Sequence, residues 1–400
     1  ITLGDSQSPA IQAIVARGQS VHAFEQLSNT PCEVPEPHGN AGVLCFTTSG
    51  TTSLPKFVLH DHLSLLAHGD GMKLAYGYDE TSRIFASAPF CGAFGFCTLL
   101  GGLVTGCTVV CEPVTDTQST LEQIRRHRVS HTYANNESIL KVLEAADSPK
   151  DFESCKLFGF ANFSPAVTNL LKQAERNGLP LTGLYGSSEL QALVAAQPTQ
   201  ESEGDLSLRY MAGGRLIHPE ARVRVSDPES GTILAHGESG EIEIKSPSRM
   251  YGYLDNPEAT AKAISADGYF KTGDLGYTVS DRQFVFQSRM GDSMRLSGFL
   301  VNPIEIEQVI ETLPGIKACQ VVGATLGTKI LPVAFVILQE GANIDAVSWT
   351  AECKRRMAGF KVPVRFEVLT AFPSVESANA VKIQKNKMRE MADKLVAEQP

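Results

Sequence analysis

Short apolar runs rich in β-branched residues recur through the first half of the chain, at 43–47, 84–88, 108–111, 157–160 and 181–184. Between them lie stretches with helical spacing of apolar positions, at 119–128, 138–146 and 165–177. The last of these is punctuated as a helix: Ser164 stands as the cap, Pro165 at the first position, and Gly178 just past the end. Strand and helix in alternation predict a mainly parallel sheet covered by helices. Between 212 and 287 the pattern changes to short alternating runs, such as 221–225 and 241–245, separated by Gly, Pro and Asp. These predict a smaller β-rich subdomain. After Arg289 a third pattern begins, with a helix opened by Pro303, strands around 318–323 and 331–338, and a helix near 347–358. The fold expected is α/β: a large N-terminal domain, 1–290, with mainly parallel sheets plus a β-rich subdomain, then a small α+β C-terminal domain, 291–400. There is no internal repeat, low-complexity tract or heptad array.

Composition narrows the partners. The 400 residues are 42% hydrophobic and 20% charged, with a net charge of -9 and a pI near 5.6. A chain that binds nucleic acid or an anionic membrane through its surface needs clustered Lys and Arg, so this balance favours small-molecule partners. Nine cysteines are scattered without a CxxC pair, which reads as reduced core thiols. Cys107 and Cys111 bracket Thr108, Val109 and Val110, a buried-strand pattern rather than a zinc site. No apolar run approaches the ~18 to 20 residues that span a bilayer, and the first residues, ITLGDSQSP, lack a basic region followed by an apolar core. A cytoplasmic enzyme is the expectation; a homo-oligomer stays open.

The stretch with most chemical content is Thr47-Thr48-Ser49-Gly50-Thr51-Thr52-Ser53-Leu54-Pro55-Lys56, which follows the apolar run VLCF. Such a loop offers backbone N–H groups and hydroxyls to phosphate oxygens, and Lys56 adds a mobile charge. Its spacing differs from the GxxxxGK[ST] loop, and a plain Ser/Thr-rich surface loop is the alternative local reading.

This stretch resembles the phosphate loop of the adenylate-forming superfamily, which includes acyl-CoA synthetases, peptide-synthetase adenylation domains and luciferases. Further segments resemble that family's motifs in the same order: Leu184 to Glu189 (LYGSSE), Gly240-Glu241-Ile242 with Tyr251-Gly252-Tyr253, Tyr269 to Gly276 (YFKTGDLG), the linker from Arg289 to Glu307, and Lys382-Ile383-Gln384-Lys385. The resemblance implies ATP, Mg2+ and coenzyme A as the small molecules handled, together with a carboxylic acid. It implies nucleotide contacts from Thr48, Ser49, Gly50, Thr51, Thr52, Lys56, Tyr185, Gly186, Ser187, Asp274 and Arg289. Tyr185 would stack on the purine, Asp274 would accept bonds from the ribose hydroxyls, and Glu189 would hold the metal that neutralises phosphate charge. Ser188, in place of the usual threonine, keeps the hydroxyl and should still reach the phosphate, so the resemblance implies a catalytic role for Ser188 and Glu189. Taken singly, Tyr185 reads as a core aromatic, Asp274 as a turn aspartate and Arg289 as a surface ion-pair residue.

Lys382 is the implied catalytic residue of adenylation, bridging two anionic reactants. Composition alone places it in a solvated basic tail, KIQKNKMRE. The resemblance also implies that the small domain is mobile, turning about Gly291 between two half-reactions, with Gly298 on the face that receives the pantetheine thiol. Gly291 stands where many relatives carry Asp or Lys. The run Ala88 to Phe96 resembles the entrance to the acyl pocket; Phe90, Gly92 and Phe94 there suggest a hydrophobic acid. The aspartate with which amino-acid-activating relatives pair the α-amine is absent. Ser53, Phe57 and Val381 replace glycines usual in the family, and the front of the large domain is expected to be missing. The expected activity is an AMP-forming acid–thiol ligase. The alternatives are acyl loading onto a carrier protein and a truncated, non-catalytic nucleotide-binding relative.

Overall fold

The computed structural model describes residues 42–47, 56–112, 116–161, 167–197, 211–297, 299–327, 329–377 and 380–397. In chain order the first elements are β1 (Gly42–Thr47), β2 (Phe57–Asp61), α1 (His62–Tyr76), β3 (Arg83–Ala86), α2 (Ala93–Thr105), β4 (Thr108–Cys111) and α3 (Thr117–His127). They are followed by β5 (His131–Ala134), α4 (Asn136–Ala145), β6 (Leu157–Ala161), α5 (Val167–Arg176) and β7 (Leu181–Tyr185). Strands β4, β3, β5, β6 and β7 lie side by side and parallel. The helices between them start where short polar side chains satisfy free N–H groups: Asp116 accepts from Ser119 N at 2.8 Å, and Asn135 from Ser138 N at 2.8 Å. Phe85, Leu121, Ile124, Phe158, Phe160 and Leu171 form the core beneath these helices. With strands buried on both faces, continuous apolar runs are the pattern required.

The chain then reverses. Gln191, Ala192 and Leu193 all have positive φ, at 60°, 55° and 37°, and they turn it back into β8 (Ala195–Ala196), antiparallel to β7. From here β9 (Gly213–Leu216), β10 (Arg222–Ser226), β11 (Gly240–Lys245), β12 (Gly252–Tyr253), α6 (Pro257–Ala263), β13 (Phe270–Ser280) and β14 (Gln283–Arg289) follow. All of these strands except β12 join the parallel half in one 11-stranded sheet, β10-β11-β13-β14-β9-β8-β7-β6-β5-β3-β4. The β-rich segment is therefore the antiparallel extension of the same sheet. Strand β12 instead pairs with β2, which pairs with β1.

After Arg289 come β15 (Met294–Leu296), β16 (Phe299–Val301), α7 (Pro303–Glu311), β17 (Ile316–Leu326), β18 (Lys329–Leu338), α8 (Ala346–Arg356), β19 (Arg365–Val368), β20 (Ser374–Ser377), β21 (Ala380–Ile383) and α9 (Lys385–Ala397). Strands β17, β18 and β19 make a three-stranded sheet. One core packs Ile306, Ile310, Val321, Val336, Trp349 and Cys353; another packs Met388, Ala392 and Val396 of α9 against Val322, Val333 and Phe335. The stretch that composition reads as a solvated basic tail is thus a strand and a packed helix. Its apolar residues recur every four positions, so its charges occupy only one side. The described cysteines are all unpaired, and Cys97, Cys319 and Cys353 are buried. Among the described residues no helix is long and apolar enough to cross a membrane.

Candidate active site

Register brings the first two site residues together. Strands β13 and β14 are antiparallel, with Asp274 directly opposite Arg289, and the guanidinium Nη1 lies 2.8 Å from Asp274 Oδ1. The other carboxylate oxygen accepts a 2.5 Å hydrogen bond from the Tyr185 hydroxyl, which reaches across from the end of β7. Gly273, with φ +68°, makes the bend that carries Asp274 inward, and the Thr272 hydroxyl accepts from Asp274 N at 3.1 Å. Asp274 is only 2% exposed. Burial pushes its carboxyl up to about 6, although Arg289 and the Tyr185 hydroxyl pull the other way. The Tyr185 hydroxyl is held far above its ordinary range by burial and then by the Asp274 charge, so it remains a donor. Its ring meets Phe284 edge-on at 5.0 Å and Phe286 tilted at 5.9 Å, within the core.

Just beyond Tyr185 the chain makes a tight turn, Ser188–Leu190. Gly186 is required there: a Cβ would come 2.5 Å from the Ala192 carbonyl carbon and 2.6 Å from Leu193 N. Three contacts from other elements hold the turn. His60 Nε2 of β2 lies 2.8 Å from the Ser188 carbonyl oxygen; a carbonyl only accepts, so Nε2 carries the hydrogen. Burial lowers the His60 pKa and keeps the ring neutral. Met250 N donates to the Glu189 carbonyl at 2.7 Å. The Tyr253 hydroxyl donates to Glu189 Oε1 at 2.9 Å. Lys56 Nζ stands 4.7 Å from the centroid of the Tyr253 ring. Glu189 stands four residues after Tyr185, in the turn that directly follows the strand carrying the Asp274 partner.

The remaining expected residues fall in several places. Thr48, Ser49, Gly50, Thr51, Thr52 and Gly298 lie outside the described residues. The strands flanking the first five are antiparallel, with Thr47 paired to Phe57. Lys382 lies in β21 opposite Val375, in the hairpin with β20. Gly291 lies between β14 and β15, and a Cβ there would meet nothing within 4 Å, so sterics do not demand the glycine. Its carbonyl accepts from Arg389 Nη2 of α9 at 2.5 Å, and the same guanidinium pairs with Asp292 Oδ1 at 2.6 Å. Of the acyl-pocket residues, Gly92 caps α2, Phe90 is 37% exposed, and Phe94 sits edge-on to Tyr133 with centroids 6.3 Å apart. The fixing contacts from His60, Tyr253 and Arg389 are not visible in the motifs; only the pairing of Gly-Tyr with the phosphate-loop strand exposes Tyr253.

The residues present fit a nucleotide with a metal. Ser187 Oγ and Asp274 Oδ1 are buried without an aligned hydrogen bond, the latter having only its ion pair. Such groups need a polar partner, and sugar or phosphate oxygens supply one. Among the described residues no three His, Cys, Asp or Glu side chains converge as a metal cage. A lone carboxylate such as Glu189 suits Mg2+, which keeps waters and phosphate oxygens among its ligands.

Residues 4–254 match the AMP-binding enzyme family, and residues 305–379 match the AMP-binding enzyme C-terminal domain. The chain belongs to the AMP-binding enzyme family. Among its relatives, the 4-coumarate–CoA ligase-like 2 of Arabidopsis thaliana is 27% identical over 348 residues, covering 85% of this chain and 60% of the relative. The 2-succinylbenzoate–CoA ligase of Geobacillus kaustophilus is 30% identical over 330 residues, covering 82% of this chain and 65% of the relative. The chain thus spans less than two thirds of either AMP-binding relative. Among solved structures, the O-succinylbenzoate coenzyme A synthetase of Bacillus subtilis with ATP and a magnesium ion superposes with a TM-score of 0.79 at 25% identity, over 96% of this chain and 78% of that one.

Proposed function

We propose that this chain uses ATP to activate a hydrophobic carboxylic acid as an acyl-adenylate and then passes the acyl group to coenzyme A. The observation that carries the reading is the joining of two half-sites. The Tyr185–Asp274–Arg289 group suits a ribose, and Glu189 with Lys56 suits the phosphates; they meet where Tyr185 ends β7 and the Ser188–Leu190 turn begins.

In the first half-reaction a carboxylate oxygen of the acid attacks the α-phosphorus of ATP. A new P–O bond forms, the bond to the β-phosphate bridge breaks, and pyrophosphate leaves with the electron pair. Both reactants are anionic, so positioned cations lower the barrier. Lys382 supplies this charge at the reacting oxygens, and Lys56 lies toward the leaving phosphates. Glu189 would hold Mg2+, which would neutralise phosphate charge. Buried Asp274 fixes the ribose through Oδ1, its orientation set by the Tyr185 hydroxyl. In the second half-reaction the thiol sulfur of coenzyme A attacks the acyl carbon, the thiol proton passes to solvent, and AMP leaves. We assign 291–400 as the unit that turns about Gly291 between the two, releasing the Arg389 contacts to Gly291 and Asp292.

The relatives named for coumarate and succinylbenzoate support an aromatic or other hydrophobic acid, as do Phe90 and Phe94 beside the Gly92 cap. A carrier-protein thiol is the alternative acceptor. An amine is a third, because an amide bond synthetase of Marinactinospora thermotolerans matches with a TM-score of 0.79 at 26% identity, over 96% of this chain and 78% of that one. The test is a product analysis by mass spectrometry: a panel of carboxylic acids with ATP and Mg2+, offered coenzyme A, a phosphopantetheinylated carrier protein or a primary amine. Acyl-CoA as the main product is expected. Acyl-adenylate that coenzyme A never discharges would refute the second half of the proposal.

A further inference from the structure

The contacts of Tyr253 go beyond what its place in a motif requires. Its hydroxyl donates to the Glu189 carboxylate at 2.9 Å, and its ring carries the Lys56 ammonium 4.7 Å from the centroid. One side chain therefore touches both an anionic and a cationic member of the phosphate site. The ring is only 8% exposed, which strengthens the bond to Glu189 by limiting water; Lys56 is itself exposed, so its contact with the ring face is the weaker of the two.

The backbone that carries Tyr253 is pinned to the strand leaving Lys56. Tyr253 pairs with Val58, Gly252 pairs with Leu59, and Leu254 N donates to the Phe57 carbonyl at 2.8 Å. Tyr253 N donates to Thr260 Oγ1 at 2.9 Å. Gly252 allows this approach, since a Cβ there would lie 3.0 Å from Thr260 Cγ2. Lys56 and Tyr253 thus share one support, β2, and the hydroxyl reaches from it to the turn bearing Glu189. The simpler reading is a core aromatic whose hydroxyl has found an acceptor. That reading does not explain why the acceptor is the metal-ligand candidate while the ring face holds the phosphate lysine.

We propose that Tyr253 is a positioning residue that sets the distance between Lys56 and Glu189 and orients the Glu189 carboxylate toward magnesium. The phenol donates to Glu189 Oε1, which leaves the other carboxylate oxygen for the metal. The inference rests on the nucleotide site proposed above and adds a residue that the assignment of ligands does not need.

The test separates hydroxyl from ring. Tyr253→Phe keeps the ring beneath Lys56 and removes only the bond to Glu189; Tyr253→Leu removes both. ATP binding to the full chain is measured by calorimetry with Mg2+ and with EDTA, and the carboxylate-dependent exchange of pyrophosphate into ATP gives KM and kcat. An orienting partner of a metal ligand is typically worth about 10- to 100-fold in metal affinity. Tyr253→Phe is therefore expected to raise the Mg2+ concentration for half-maximal ATP binding by at least about tenfold. Its metal-free ATP affinity should stay within about twofold and its kcat change less than its KM. Tyr253→Leu should weaken ATP binding in EDTA as well. Equal weakening with and without Mg2+ in Tyr253→Phe, or an unchanged Mg2+ requirement, overturns the inference. Glu189→Gln keeps the two questions apart. If it abolishes the Mg2+ dependence while Tyr253→Phe leaves it intact, the site stands and the role of Tyr253 falls; if neither variant alters it, both fall.

Discussion

The burial of Asp274 carries a cost to the fold, and the cost can be measured. Its carboxyl titrates at about 6 in the folded chain against 3.8 ordinarily, an upward displacement of about two units, or about 3 kcal/mol at 1.36 kcal/mol per unit. Because the folded value is the higher one, the favourable contribution is full below pH 4 and is lost as the pH rises through 6. At pH 7 the folded state holds an ionised, buried carboxylate that Arg289 compensates only in part. Asp274→Asn keeps the shape and an oxygen to accept from Tyr185, but it cannot ionise. Arg289 has half of its side chain in water, so solvent takes over its charge. The stability difference between Asp274→Asn and the parent should therefore move by about 3 kcal/mol in the variant's favour from pH 4 to pH 7. Urea unfolding midpoints at half-unit pH steps would show it, alongside at least tenfold weaker ATP binding by the variant. A difference that stays constant across this range, or moves against the variant, would refute the burial argument.

Other consequences follow from the same geometry. Gly186→Ala forces a Cβ to within 2.5 Å of the Ala192 carbonyl carbon; a cost of about 1 to 3 kcal/mol is expected, visible as a lower melting temperature together with weaker ATP binding, since the turn bearing Glu189 must shift. Glu307, buried in α7, accepts from Val321 N at 2.8 Å and lies 3.5 Å from Lys385 Nζ. Glu307→Ala leaves a buried amide without an acceptor and a cation without its partner, for about 3 kcal/mol of stability. Glu307→Gln, which keeps an acceptor, should lose less than half of that in urea titrations.

The two levels of structure were unequally legible in the sequence. The parallel strands could be read because burial on both faces leaves uninterrupted apolar runs, as in LFGFA of β6. Helix α2, AFGFCTLLGGLVT, could not: its glycines argue against a helix and its apolar residues show no polar face. Both follow from deep packing, since a Cβ on Gly95 would meet the Pro89 carbonyl oxygen at 2.1 Å and one on Gly102 would meet Val109 at 2.2 Å. Helix α9 was hidden by its charges, although Met388, Ala392 and Val396 carried the period. At the site, the motifs point to Asp274 and Arg289 separately, but the register that sets them opposite each other depends on a β-bulge between Leu275 and Gly276, which local pattern does not reveal. Tyr253 lies in a motif that names no chemistry; its role appears only when β12 pairs with β2. The reversal at Gln191, Ala192 and Leu193 has no glycine to announce it, because buried packing rather than local preference holds those residues at positive φ.

The central claim is that this chain forms an acyl-adenylate through one nucleotide site served by Lys382. Exchange of labelled pyrophosphate into ATP measures that step alone, without regard to the acyl acceptor. With the parent chain, exchange should require both Mg2+ and a hydrophobic carboxylic acid. In Lys382→Ala it should fall by about a hundredfold or more, the usual scale for losing a group that stabilises transition-state charge, while ATP binding persists. No carboxylate-dependent exchange with any acid of a broad panel, or full exchange in Lys382→Ala, would contradict the account.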